Sequence, residues 1–96
     1  MAIQSFGDKI TEVFFVSALV KKGAPWATVK NVARRKLDML NFATELSDLR
    51  VPPRNCLEAL SGTLAGFHSI RVNDQWRIVF RWTSAGPEDV RIVDYH

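Results

Sequence analysis

The chain ends in Asp94, Tyr95 and His96, which set a carboxylate, a phenol and an imidazole side by side. Metal-free RNA cleavage needs such groups: a base for the 2′-OH, an acid for the leaving oxygen, and cationic donors for charge developing on the phosphate. His96 can take either proton-transfer role near neutral pH, whereas Tyr95 suits donation and positioning. Adjacent strand residues point to opposite faces, so the three cannot all aim inward from an ideal strand, but a terminal bend could gather two or all of them. A polar chain end would read the same way. Glu58, which precedes a glycine-containing loop, is a further candidate acid or base, or an ordinary surface charge.

The cationic donors are arginines. Every lysine precedes residue 37, and the basic residues after residue 48 are Arg50, Arg54, Arg71, Arg77, Arg81 and Arg91. Arginine's rigid fork of donors matches phosphate or carboxylate, so the bias points to an anion site. Base composition or simple solvation would produce it too. The net charge of +3 is by itself a weak sign of a nucleic-acid partner.

Other chemistries have no foothold. Phosphate-loop, dinucleotide and metalloprotease signatures are absent. His68, His96 and Cys56 have no recognisable short ligand spacing, so no metal and no other cofactor is expected. His68 shares its predicted face with Ile70, Val72, Ile78 and Phe80 and reads as a hydrogen-bonded core histidine. Trp76 and Trp82 lie on the same face as packing residues.

The 96 residues suit one domain, 1–96, of α+β class. The lone Cys56 excludes an intrachain disulfide and favours a cytoplasmic setting. The apolar run at 13–20 is too short to span a bilayer and follows charged residues, so it reads as a buried helix rather than a membrane segment. Residues 2–6 can form an edge strand, and Asp8 can cap a helix reaching Leu19 or Val20. Gly23 and Pro25 stop it. Thr28 then starts a longer helix with Val29, Val32, Ala33, Leu37, Leu40 and Ala43 on its apolar face, and Lys30, Arg34, Arg35 and Asp38 largely on its wet side. Pro52 and Pro53 end this region, making Leu49 to Arg54 an ordered connection.

From Phe67 the hydrophobic period becomes two. Strands are expected at about 67–72, 76–82 and 89–95, with Ala85, Gly86 and Pro87 as the last turn. A loop of Asn73, Asp74 and Gln75 pairs Val72 with Trp76, Ile70 with Ile78, and His68 with Phe80. A two-residue turn would set Ile70 against Arg77 and mix the faces. The preferred register opposes Arg71 to Arg77, with Arg81 farther along the same face. That arrangement needs a negative group nearby, either a ligand or an internal acid.

The stretch FHSIRVNDQWRIVFRW, residues 67–82, followed by EDVRIVDYH, residues 88–96, resembles the HigB-type toxins, or plasmid maintenance system killer family, of the RelE/ParE superfamily. SFGDK near the N-terminus and PPRNCLEAL at 52–60 extend the resemblance over nearly the whole chain. It implies a small antiparallel or mixed sheet with two or three helices from the N-terminal half on one face. It also implies a type II toxin that cleaves messenger RNA on the ribosome, with a helix-turn-helix antitoxin as cognate partner and operator DNA reached only through that antitoxin. By the same resemblance, Asp94, Tyr95, His96 and Arg77 belong to the active site. Glu58 stands where some members have histidine, and Ser61-Gly62-Thr63 where many have Lys-Gly-Asp. Arg71, Arg81, Arg54 and Arg50 complete the expected RNA contacts. A non-cleaving relative that binds antitoxin, nucleic acid or ribosome, and a gyrase-targeting toxin, are the alternatives.

Overall fold

The computed structural model describes residues 2–94. Helix α1 spans Lys9–Ser17 and α2 spans Lys30–Phe42, and four strands follow: β1 Glu58–Ala59, β2 His68–Arg71, β3 Trp76–Thr83 and β4 Gly86–Asp94. The strands form an antiparallel sheet in sequence order.

Asp8 caps α1 as its residue type predicts, its carboxylate accepting from the Thr11 N–H at 2.7 Å. The helix ends earlier than Leu19. Ala18 turns left-handed at φ 59° and donates its N–H to the Phe14 carbonyl, so Leu19 and Val20 leave the helix. Arg34 of α2 then donates to the carbonyl of Phe15 at 3.0 Å and lies over that residue's ring. A residue expected on the wet side thus joins the two helices. The second helix begins as a 3₁₀ turn at Ala27–Val29, and its α-helical part starts at Lys30 rather than at Thr28.

One face of the sheet is the core. Ile70, Val72, Trp76, Ile78, Phe80, Val90 and Ile92 pack against Phe14, Trp26, Leu37 and Leu40. Period-two alternation delivers the sheet side and period 3.6 the α2 side. Burying each large apolar side chain here contributes about 1.5–3 kcal/mol. Trp26, from the segment between the helices, stacks obliquely on Phe14 at 4.8 Å and anchors that segment.

The first hairpin has the predicted register: His68 opposes Phe80, Ile70 opposes Ile78 and Arg71 opposes Arg77. The second turn is tighter than expected. Thr83 pairs with Gly86, so Gly86 and Pro87 belong to β4. A bulge follows, at which Asp89 takes φ 53° and the pairing steps from Val79↔Arg91 to Arg81↔Glu88. It keeps Arg91 and Glu88 on the same face.

Residues 2–6 make no regular strand. They run beside β4 through one parallel bridge, Phe6 to Val90, with backbone hydrogen bonds from Gln4 to Pro87, Val90 to Ser5 and Gly7 to Val90. Just beyond, the buried Thr11 hydroxyl accepts from the Ile92 N–H at 3.2 Å. The N-terminal segment therefore covers a strand edge that would otherwise invite pairing. The connection before β1 is ordered by Asn55, which is fully buried and donates to the carbonyls of Leu49 and Val51. Among the described residues, no helix is long and apolar enough to cross a membrane.

Candidate functional site

The sheet face turned away from the helices carries Ser69 and Arg71 from β2, Arg77, Val79 and Arg81 from β3, and Arg91 and Val93 from β4. Glu58 opposes Ser69, which sets its carboxylate on this face as well. The short strand β1 and the 3₁₀ turn at Gly62–Leu64 fold over part of it and leave an open cleft of about 440 Å³. Glu58, Ser61, Leu64, Val79, Arg91 and Asp94 are among its lining residues. Two carboxylates and a guanidinium from β1 and β4 thus meet over an apolar floor.

Arg77 lies at the side of this cleft, opposite Val93. Its side chain is largely buried, with the residue 8% exposed, and Nη1 donates to Ser69 Oγ at 2.8 Å and to the Cys56 carbonyl at 3.1 Å. These two bonds fix the guanidinium in position. Such a fixed cation is suited to charge that develops on a bound phosphate.

The other arginines divide by partner. Arg81 is neutralised within the sheet, with Nε 3.0 Å from Glu88 and Nη2 2.7 Å from Asp89. Arg71 pairs with Asp74 of the hairpin loop. Internal acids therefore answer two of the cations that the sequence left between ligand and carboxylate. Arg54 is exposed in the turn Pro53–Asn55, away from the cleft lining. Arg50, exposed at the end of the turn Leu46–Arg50, lines a second pocket. Tyr95 and His96 lie outside the described residues.

Arg91 is the cleft cation that the sequence reading did not select. Alternation puts it on the open face, but its place opposite Val79 depends on the bulge at Asp89. Its guanidinium and that of Arg81 both lie against the Phe67 ring, at 5.8 and 5.2 Å. Lys36 escaped notice for a different reason. It is only 6% exposed in α2, and its ammonium donates to Asn55 Oδ1. Burial, then the charges of Arg35 and Arg71, hold its pKa below the usual lysine value.

His68 lies on the core face as predicted and stacks on Phe80 with ring centroids 6.2 Å apart. The expected hydrogen bond is missing: its buried Nδ1 has no partner among the described residues.

Helices on one face of a four-stranded antiparallel meander, with a charged cleft on the other, define the fold of the RelE/ParE class of small toxins. The YoeB/ParE toxin from Agrobacterium tumefaciens has this fold: the two superpose with a TM-score of 0.51 over 98% of this chain and 94% of that one, at 18% identity. The chain belongs to the HigB-like toxins, the RelE-like toxins of type II toxin-antitoxin systems, whose family profile matches residues 4–96. It is 43% identical over 82 residues to Toxin HigB-1 of Vibrio cholerae serotype O1, an overlap of 85% of this chain and 84% of that toxin. An uncharacterized protein of Haemophilus influenzae is 43% identical over 51 residues, 53% of this chain and 50% of its own length. Membership of a toxin-antitoxin system implies a cognate antitoxin as partner.

Proposed function

We propose that this toxin is an endoribonuclease that cuts messenger RNA on the ribosome by metal-independent acid-base chemistry. The observation that carries the reading is the convergence of Glu58, Arg91 and Asp94 in one cleft, with Arg77 fixed beside it by Ser69 and the Cys56 carbonyl. Those residues come from three strands. Together they supply a base and the cations that an attacked phosphate requires.

In this mechanism Glu58 removes the proton of the ribose 2′-OH, and the 2′-oxygen attacks the adjacent phosphorus. The bond to the 5′-oxygen breaks, leaving a 2′,3′-cyclic phosphate and a 5′-OH that takes its proton from His96. Arg77 and Arg91 stabilise the charge on the non-bridging oxygens. Tyr95 positions the substrate or donates a hydrogen bond, and Asp94 orients its neighbours. The ion pairs of Arg71 and Arg81 favour a role in shaping the face, with Arg91 as the nearer RNA contact.

Cleavage-site mapping on a defined message tests this, with translating ribosomes, a ribosome-free control, and the folded variants His96→Ala and Glu58→Gln. New ends that need the ribosome and fall about a hundredfold or more in both variants are expected. Absence of such ends from folded, ribosome-bound protein would reject the nuclease reading in favour of gyrase poisoning or binding without cleavage.

A further inference from the structure

Phe67 stands one residue before β2, and two residues of the cleft lining hold its backbone. Its N–H donates to the Leu64 carbonyl and its carbonyl accepts from the Leu60 N–H, both at 2.9 Å. Alternation from His68, which faces the core, sends the Phe67 side chain to the open face of the sheet. The ring is half-buried there. Two guanidinium groups lie against it, that of Arg81 at 5.2 Å from the ring centre and that of Arg91 at 5.8 Å.

The two arginines are held in different ways. Arg81 is gripped by Glu88 and Asp89, whereas Arg91 lines the cleft and makes no ion pair among the described residues. What meets the Arg91 guanidinium is an aromatic face, which attracts a cation through the ring quadrupole. A ring adds no negative charge and no acceptor that a phosphate would have to displace. A carboxylate in its place would fix the guanidinium and cancel the charge as well. Holding the cation beforehand also removes part of the ordering cost that a long side chain brings to a substrate contact.

We propose that Phe67 is a positioning residue for cleavage: its ring holds the Arg91 guanidinium at the cleft, ready to meet the phosphate of bound RNA. The proposal rests on the nuclease reading, in which Arg91 stabilises the non-bridging oxygens. Phe67 acts through Arg91 and touches no reacting atom.

The test compares Phe67→Leu and Phe67→Met, two apolar replacements at a half-buried position, with Phe67→Tyr, which restores the ring. Thermal melting establishes folding. The Nε–Hε resonance of Arg91, assigned with Arg91→Gln, reads the geometry. Function is read from the rate of message cleavage at saturating ribosomes and from the ribosome concentration that gives half that rate. In the ring-free variants the Arg91 resonance is expected to move, and the saturating rate to fall about two- to fivefold with little change in the half-saturating concentration. Phe67→Tyr should recover both. In an Arg91→Gln background, Phe67→Leu should lower the rate no further. An unmoved Arg91 signal in a folded ring-free variant, or an equal loss of rate with and without Arg91, would overturn the proposal and leave Phe67 a packing residue. The two readings fail separately. Wild-type protein that cuts no message rejects the nuclease, with the hold of the ring on Arg91 still decided by the resonance, whereas mapped cleavage with an unmoved signal rejects only the role of Phe67.

Discussion

Arg71 and Arg77 stand directly opposite each other on β2 and β3, yet their guanidinium groups are drawn apart to different partners. Arg71 is held by Asp74 in the loop of its own hairpin, while Arg77 is held by Ser69 Oγ and the Cys56 carbonyl. The repulsion expected of two facing cations is relieved by divergence. One arginine is paired with a loop carboxylate, and the other is fixed by a hydroxyl and a carbonyl beside the cleft.

Removing these side chains should therefore have unequal effects. Arg77→Met leaves a buried hydroxyl and a carbonyl short of a donor, which costs about 1–3 kcal/mol. It is expected also to lower RNA cleavage by about 10²-fold or more. Arg71→Met breaks a pair whose Asp74 side chain is 97% exposed, and should cost less than about 1 kcal/mol. Urea denaturation of the two variants gives the comparison, and equal losses would contradict it.

Gly7 is pressed against the back of Arg91. A Cβ there would meet the Asp89 carbonyl at 2.9 Å and Arg91 Cδ at 3.0 Å. Gly7→Ala should destabilise the protein by about 1–3 kcal/mol and move the Arg91 guanidinium. Thermal melting reads the first effect, and a changed Arg91 Nε resonance reads the second. A variant with wild-type melting and an unmoved signal would show that the contact yields freely.

Lys36 predicts an alkaline pH dependence. Its folded-state pKa lies below 10.5, so across the interval between that lowered value and 10.5 the unfolded chain binds more protons. Stability should rise as pH climbs through this window. Lys36→Met should abolish the rise and, by leaving Asn55 Oδ1 without its donor, lower stability at every pH by about 1–3 kcal/mol. Urea midpoints from pH 7 upward measure both, and a rise that persists in the variant would assign it to another group.

At the acid end, Asp48 accepts hydrogen bonds from the N–H groups of Glu45 and Thr44 and from the Thr44 hydroxyl, and these hold its pKa below 3.8. The stabilisation is fully present above 3.8 and is lost as pH falls through the lower folded value. Asp48→Asn should therefore be less stable than wild type at pH 5 to 7, with the gap closing in strong acid. A gap independent of pH would show that packing, not ionisation, accounts for the difference.

Hydrophobic alternation within 67–82 was enough to determine the first hairpin, because a one-residue slip would turn Ile70, Ile78 and Phe80 to the wrong face. The same local rules place Asp8 at a helix start and put Glu58, Arg77 and Arg81 among the residues worth testing. The sequence likewise carries the family, through the motifs of its C-terminal half. Tertiary structure decided which partner each charge meets. Arg77 meets a carbonyl 21 positions away, Lys36 meets Asn55 19 positions away, and Arg91 owes its place to a bulge with a left-handed Asp89. Side-chain periodicity is a property of a few adjacent residues, whereas the partner of a long cationic side chain depends on how distant segments are brought together. That is why the face could be read from the chain while the cleft, and the partners of its arginines, could not.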